Sequence, residues 1–97
     1  MSLPIVFRRI ARLELDESIA WYDAQQPGLG VQFAAEIEAL LKRIGDSPQQ
    51  FRDIRDEIRR AVSTRFPYTV YYITEKDRIV VLAIFHVKRS PTQLEDR

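Results

Sequence analysis

The chain contains no cysteine. That excludes disulfides, Fe–S clusters, cysteine-built zinc sites and thiol nucleophiles. Its single histidine leaves any protein-built zinc or copper site short of ligands, so neither a metal nor a cofactor is expected. A small chain without disulfides fits a reducing cytoplasm, the expected location. No apolar run approaches the ~20 residues needed to span a bilayer. Residues 3–7 are too short for a signal-peptide core, and Arg8 and Arg9 follow that run where such a peptide has its charges first. No membrane partner is therefore expected. An excess of one charge is missing as well: 15 basic groups face 14 acidic ones, for a net +1. That is not the strongly basic balance of a typical nucleic-acid-binding domain. The excess is uneven, however. Residues 1–50 hold five basic and seven acidic groups, and residues 51–97 hold ten and seven, so an anionic partner meets the second half first. There is no P-loop, G-x-G-x-x-G, H-E-x-x-H, G-x-S-x-G or EF-hand loop. Gly28-Leu29-Gly30 follows no strand pattern and is a poor phosphate loop.

What is present suffices for one domain over residues 1–97. The chain is 45% hydrophobic and 30% charged, enough to build a core and stay dissolved. At this size the core is small, so a partner contributes appreciably to stability.

Residues 4–8 are β-branched and aromatic, and predict a strand. From Ala11 the period becomes helical: Ala11, Leu15, Ser18, Ile19 and Tyr22 share a face, which predicts a helix over 10–25. Pro27, Gly28 and Gly30 break it. Phe33, Ile37, Leu40, Leu41 and Ile44 predict a second helix over 31–44, with Gly45 just past its end and Pro48 preventing a restart. The short link makes the pair an antiparallel hairpin. After a polar connection come three strand patterns, at 57–64 with Ile58 and Val62 on one face, at 66–74, and at 79–87. The last is almost wholly apolar, as in a central strand buried on both faces. The expected fold class is α+β in the order β-α-α-β-β-β. A helical hairpin packs on a small antiparallel sheet, with the first strand at an edge or beside the last. Residues 88–97 form a polar tail, loose or folded over the sheet.

Three groups of residues carry candidate chemistry. His86 and Arg89, three apart at a strand end, suit a proton donor with a phosphate clamp; the plainer reading is a half-buried histidine bonded to backbone. Arg52, Arg55, Arg59, Arg60 and Arg65 form an arginine-rich stretch interrupted by Asp53, Asp56 and Glu57. Arginine's planar fork suits phosphates and carboxylates, but on a strand Arg59 and Arg60 point to opposite faces. The alternative is a solvated edge with internal ion pairs. Glu57 is a candidate general base, though a neighbouring arginine lowers its pKa and weakens it as one. The rings of Trp21, Tyr22, Tyr68, Tyr71 and Tyr72 can stack on bases. Helix and strand spacing favours core positions for Tyr22, Phe33 and Phe66. Tyr71 and Tyr72 face opposite ways, which leaves at least one for the surface or an interface.

The element order resembles the RelE/ParE superfamily of type II toxins from bacterial toxin–antitoxin systems, which includes plasmid stabilisation proteins. Five stretches carry the resemblance: Glu14-Leu15-Asp16-Glu17-Ser18-Ile19-Ala20-Trp21-Tyr22; Pro27-Gly28-Leu29-Gly30 with Phe33; Arg59-Arg60-Ala61-Val62; Phe66-Pro67-Tyr68-Thr69-Val70-Tyr71-Tyr72; and Ile84-Phe85-His86-Val87-Lys88-Arg89-Ser90-Pro91. The resemblance implies a small cytoplasmic toxin neutralised by a cognate antitoxin. RelE-like members cut mRNA on the ribosome, and ParE-like members inhibit DNA gyrase.

RNA cleavage without a metal needs a base, an acid and cations for the phosphate. RelE-like nucleases tend to place an arginine where this chain has Thr69, and a tyrosine in the tail, where it has none. Arg89 matches a RelE-type position and His86 stands in for an acid. The resemblance is therefore nearer the ParE branch. It implies a growth-inhibiting gyrase inhibitor. The family pattern assigns no gyrase-contacting residue; from the residues themselves, Arg59, Arg60, His86 and Arg89 are expected to face the target, and Leu13 and Trp21, which lie off the main core face of the first helix, to face the antitoxin. Two alternatives stay open. One is a ribosome-dependent endoribonuclease, for which His86, Arg89, Arg59 and Glu57 are the catalytic candidates. The other is a non-toxic module that binds the antitoxin only.

Overall fold

The computed structural model describes residues 2–89 and Leu94. Strand β1 (Ile5–Phe7) leads into helix α1 (Arg9–Gln25) and helix α2 (Leu29–Asp46). A 3-10 turn (Pro48–Gln50) precedes β2 (Arg52–Arg55), β3 (Ile58–Val62), β4 (Tyr68–Thr74) and β5 (Ile79–His86). The strands form one sheet in the order β1-β5-β4-β3-β2, an antiparallel meander with β1 added parallel to β5. This is the expected α+β arrangement, with one strand more. β2 lay in the connection read as polar, because Arg52, Asp53 and Arg55 hide Ile54, the one side chain it packs against the sheet. Those charges also blunt the sheet edge.

The α2 start was masked in the sequence by its two glycines. Gly28 takes a φ of 89°, which only glycine adopts freely. Asp23, near the end of α1, then caps the new helix: its Oδ1 accepts from the N–H of Gly28 at 2.9 Å and of Gly30 at 3.2 Å. Gly30 sits where the helices touch, since a Cβ there would lie 2.6 Å from the carbonyl oxygen of Ile19. Gly45 is not past the helix end but inside it. Leu3 donates its N–H to the Gly45 carbonyl at 3.0 Å, and a Cβ on Gly45 would lie 2.9 Å from the Leu3 oxygen.

The sheet is buried on both faces. The helix side holds Phe33, Ile37, Ile44, Val70, Tyr72, Val81 and Ile84. The outer face holds Tyr71, Val80, Leu82, Ala83 and Phe85, with Leu94 packed into them. The tail therefore returns at least one residue to the sheet. Tyr71 and Tyr72, expected to leave one ring for the surface, are both buried, Tyr72 under the helices and Tyr71 on the face that Leu94 joins. Ile58 also lies on the outer face, and Val62, at the strand end, is exposed.

A register shift decides where the end of β5 points. Tyr71 pairs with Ala83 and Tyr72 with Val81, so Leu82 is an extra residue. Leu82 and Ala83 both join the outer core, and alternation resumes with Ile84 on the helix side. His86 consequently lies on the helix side, opposite Tyr68; without the bulge it would face the other way.

Candidate functional site

α1 and the end of β5 enclose a cleft of about 250 Å³. β1 stops at Phe7 to let α1 begin, so β5 beyond Val81 has no strand on that side. The side chain of Glu14 fills part of this gap. Its Oε1 accepts from the N–H of Ile84 at 3.1 Å, and its Oε2 lies 3.5 Å from Nη1 of Arg89. The Arg89 guanidinium also rests 4.5 Å from the centre of the Phe85 ring. His86 accepts the N–H of Lys88 on Nδ1 at 3.1 Å, which leaves the ring proton of the neutral imidazole on Nε2. Its ring meets Tyr68 edge-on at 5.6 Å. Glu17, Ser18 and Trp21 complete the wall.

The structure brings His86 and Arg89 together, as their spacing suggested, sets beside them Trp21 and Tyr68, two of the rings considered for stacking, and adds Glu14 and Glu17, which sequence reasoning missed as site residues. Glu14 and Glu17 sit three apart on α1 with Trp21 four further on, a helical spacing that was available as a signal. The charged lining is the carboxylates of Glu14 and Glu17 against the Arg89 guanidinium, with His86 and Tyr68 as the other titratable groups. Such a cleft suits a cationic or apolar side chain beside Trp21 and disfavours a phosphate.

Arg59 and Glu57 lie elsewhere. Arg59 donates from Nη1 to the Phe51 carbonyl at 2.7 Å, under the helix side of the sheet. Glu57, at a φ of 66° in the β2–β3 turn, lines a second shallow cleft with Arg59 and Asp53. Arg59 is level with Tyr72, and His86 with Tyr68 two strands away. Strand geometry then separates the two positions by roughly 16 Å. Arg60 faces the opposite side of the sheet from Arg59.

α1 is apolar on two sides. Ala11 and Leu15 enter the core, while Ile10, Leu13, Ala20, Trp21 and Ala24 lie exposed within roughly 100° of arc on another face, with the carboxylate of Glu17 among them. Leu13 is 49% and Trp21 57% exposed, the latter with its ring 5.1 Å edge-on to Tyr22. Burial of Tyr22 among Phe33, Phe66 and Tyr68 raises the pKa of its hydroxyl, with a smaller effect from Tyr68.

The sequence profile of the ParE toxin of type II toxin–antitoxin systems, parDE, matches residues 5–91. The chain belongs to this ParE toxin family. Among solved structures it is similar to a chain of the chromosomal ParDE TA system from P. aeruginosa, at a TM-score of 0.76 and 17% identity, covering 88% of this chain and 96% of that one. That likeness establishes a ParE-type fold. No curated protein matches the chain. Among the described residues no helix is long and apolar enough to cross a membrane, and no three His, Asp or Glu side chains stand together as metal ligands.

Proposed function

We propose that this ParE-family toxin acts by inhibiting DNA gyrase, and that a cognate antitoxin neutralises it by covering the second apolar face of α1 around Leu13 and Trp21. The observation that carries the choice of target is the charge of the α1–β5 cleft. His86 and Arg89, the candidates for RNA cleavage, share it with Glu14 and Glu17, and the Arg89 guanidinium is already engaged by a carboxylate. A phosphate in this cleft would meet two carboxylates and a single guanidinium that one of them already engages, where a ribonuclease needs cations free for the phosphate. Thr69 supports the same reading. It stands where RelE-like nucleases carry an arginine, and it is buried between Val62 and Phe85. The other nuclease candidates, Glu57 and Arg59, are too far from His86 to act on one scissile bond.

On this reading the target-facing surface is the exposed end of β5, His86 with Arg89, while Arg59 serves the fold. Pulse labelling of DNA and protein synthesis after inducing the toxin without antitoxin tests it. An early fall in DNA synthesis, followed by gyrase-dependent DNA breaks in vitro, is expected. An early fall in protein synthesis with ribosome-dependent mRNA cuts would replace gyrase by the ribosome as target. Absence of any growth effect would reduce the protein to an antitoxin-binding module.

A further inference from the structure

Two arginines oppose one another on the outer face of the sheet. Arg52 and Arg60 are cross-strand partners in the β2–β3 ladder. Their side chains therefore leave the same face, with Cβ atoms roughly 5 Å apart. That face is the one of Ile58 and Tyr71, because the neighbouring Ala61 enters the helix-side core. Like charges in this position weaken a ladder. Among the described residues no carboxylate on this face offsets them. Asp53, the adjacent carboxylate, is the cross-strand neighbour of Arg59 and leaves the opposite face. Among the described residues Arg12, Arg78 and Arg89 pair with carboxylates and Arg59 and Arg65 donate to oxygens, whereas Arg52 and half-buried Arg60 have no ion pair, side-chain hydrogen bond or ring partner.

We infer that Arg52 and Arg60 form a phosphoryl-binding site on the outer face of the sheet. A single guanidinium fork satisfies the two oxygens of a carboxylate. Two forks from adjacent strands suit an anion whose oxygens are spread tetrahedrally and accept from several directions. β2 is the edge strand, so a polymer carrying that phosphate can pass along the sheet margin. Tyr71, the cross-strand neighbour of Arg60, is buried on the same face, and no described carboxylate or histidine stands beside the pair, so the site is proposed for binding. It is separate from the α1–β5 cleft and independent of whether gyrase is the target.

The test uses the full chain with Arg52→Gln, Arg60→Gln and, as a charge control elsewhere, Arg78→Gln. Anisotropy of a fluorescein-labelled single-stranded ten-nucleotide oligonucleotide is measured over a range of KCl, and thermal melting with and without inorganic pyrophosphate. Each site variant is expected to weaken oligonucleotide binding about 10-fold and to flatten the log–log salt dependence by about 0.7, with Arg78→Gln near the parent chain. Without ligand, both site variants should melt at or above the parent temperature, since a repulsion is relieved. Tighter binding of the oligonucleotide than of pyrophosphate assigns the phosphoryl group to a nucleic-acid backbone. A response to pyrophosphate alone assigns it to a small phosphorylated ligand. Equal loss in Arg78→Gln, binding of neither probe, or a lowered melting point for Arg60→Gln would overturn the site. Weakened antitoxin binding with no phosphate response would do the same, and would assign the pair to an acidic protein segment.

Discussion

Replacing Trp21 by alanine separates an interface residue from a core residue. Trp21 is 57% exposed, on a helix whose core face is occupied by other side chains. A large aromatic side chain presents up to about 250 Å², so about 140 Å² of this one is open to a partner. Complete burial at about 25 cal/mol per Å² would contribute about 3.5 kcal/mol. An interface leaves part of the ring wet, so we expect a loss of about 2–3 kcal/mol, roughly 30- to 150-fold in the Kd for the antitoxin. Folding stability should change little, within about 0.5 kcal/mol, because exposed positions contribute little to it. Isothermal titration of the variant with its antitoxin, alongside a thermal melt of the variant alone, measures both quantities. An unchanged Kd would refute the assignment of this face to the antitoxin. A large fall in melting temperature would show that Trp21 belongs to the core after all.

Three further perturbations follow from the packing. Gly30→Ala gains about 1 kcal/mol of helix propensity, but its Cβ would meet Ile19 and Asp23 of α1. Overpacking of about 1–3 kcal/mol should outweigh the gain and lower the melting temperature, and a stabilised variant would contradict the close approach. Tyr72 donates its hydroxyl to the Pro48 carbonyl at 2.5 Å, and burial pushes its pKa up to about 12 despite the opposing influence of Arg59. A raised folded-state pKa means that Tyr72's contribution is intact below about pH 10 and lost as pH rises toward 12. The steep decline in urea-unfolding free energy over that window should flatten in Tyr72→Phe. Leu94→Ala should cost about 2–4 kcal/mol in chemical denaturation, as for any buried leucine, and an effect under about 0.5 kcal/mol would show that the tail contributes nothing to the outer face.

The two helices and the last two strands were legible because each repeats one period over enough residues: Phe33, Ile37, Leu40 and Ile44 along α2, and the unbroken apolar run of β5. β2 was not legible, since a four-residue strand with three charged side chains reads as a loop until the partner strand supplies its hydrogen bonds. In the candidate site, the spacing of His86 and Arg89 was visible, and so was the exposure of Leu13 and Trp21 off the main face of α1. The carboxylate that joins the site was not, because Glu14 lies 70 residues before Ile84 and its role as cap of an unpaired strand edge exists only when α1 crosses β5.

The sequence by itself thus determined the family, the elements and the chemistry on offer, because periodicity, breakers and local motifs act over a few residues. Tertiary structure alone decided which way that chemistry points. One extra residue at Leu82 turns His86 toward α1. Pairing of β2 with β3 sends Arg59 to a backbone carbonyl beneath the sheet and sets Arg60 against Arg52 on the other side. Side-chain direction on a strand alternates with every residue, so register, a property of the paired chain and not of the segment, settles which neighbouring arginine is structural and which is left to meet a partner.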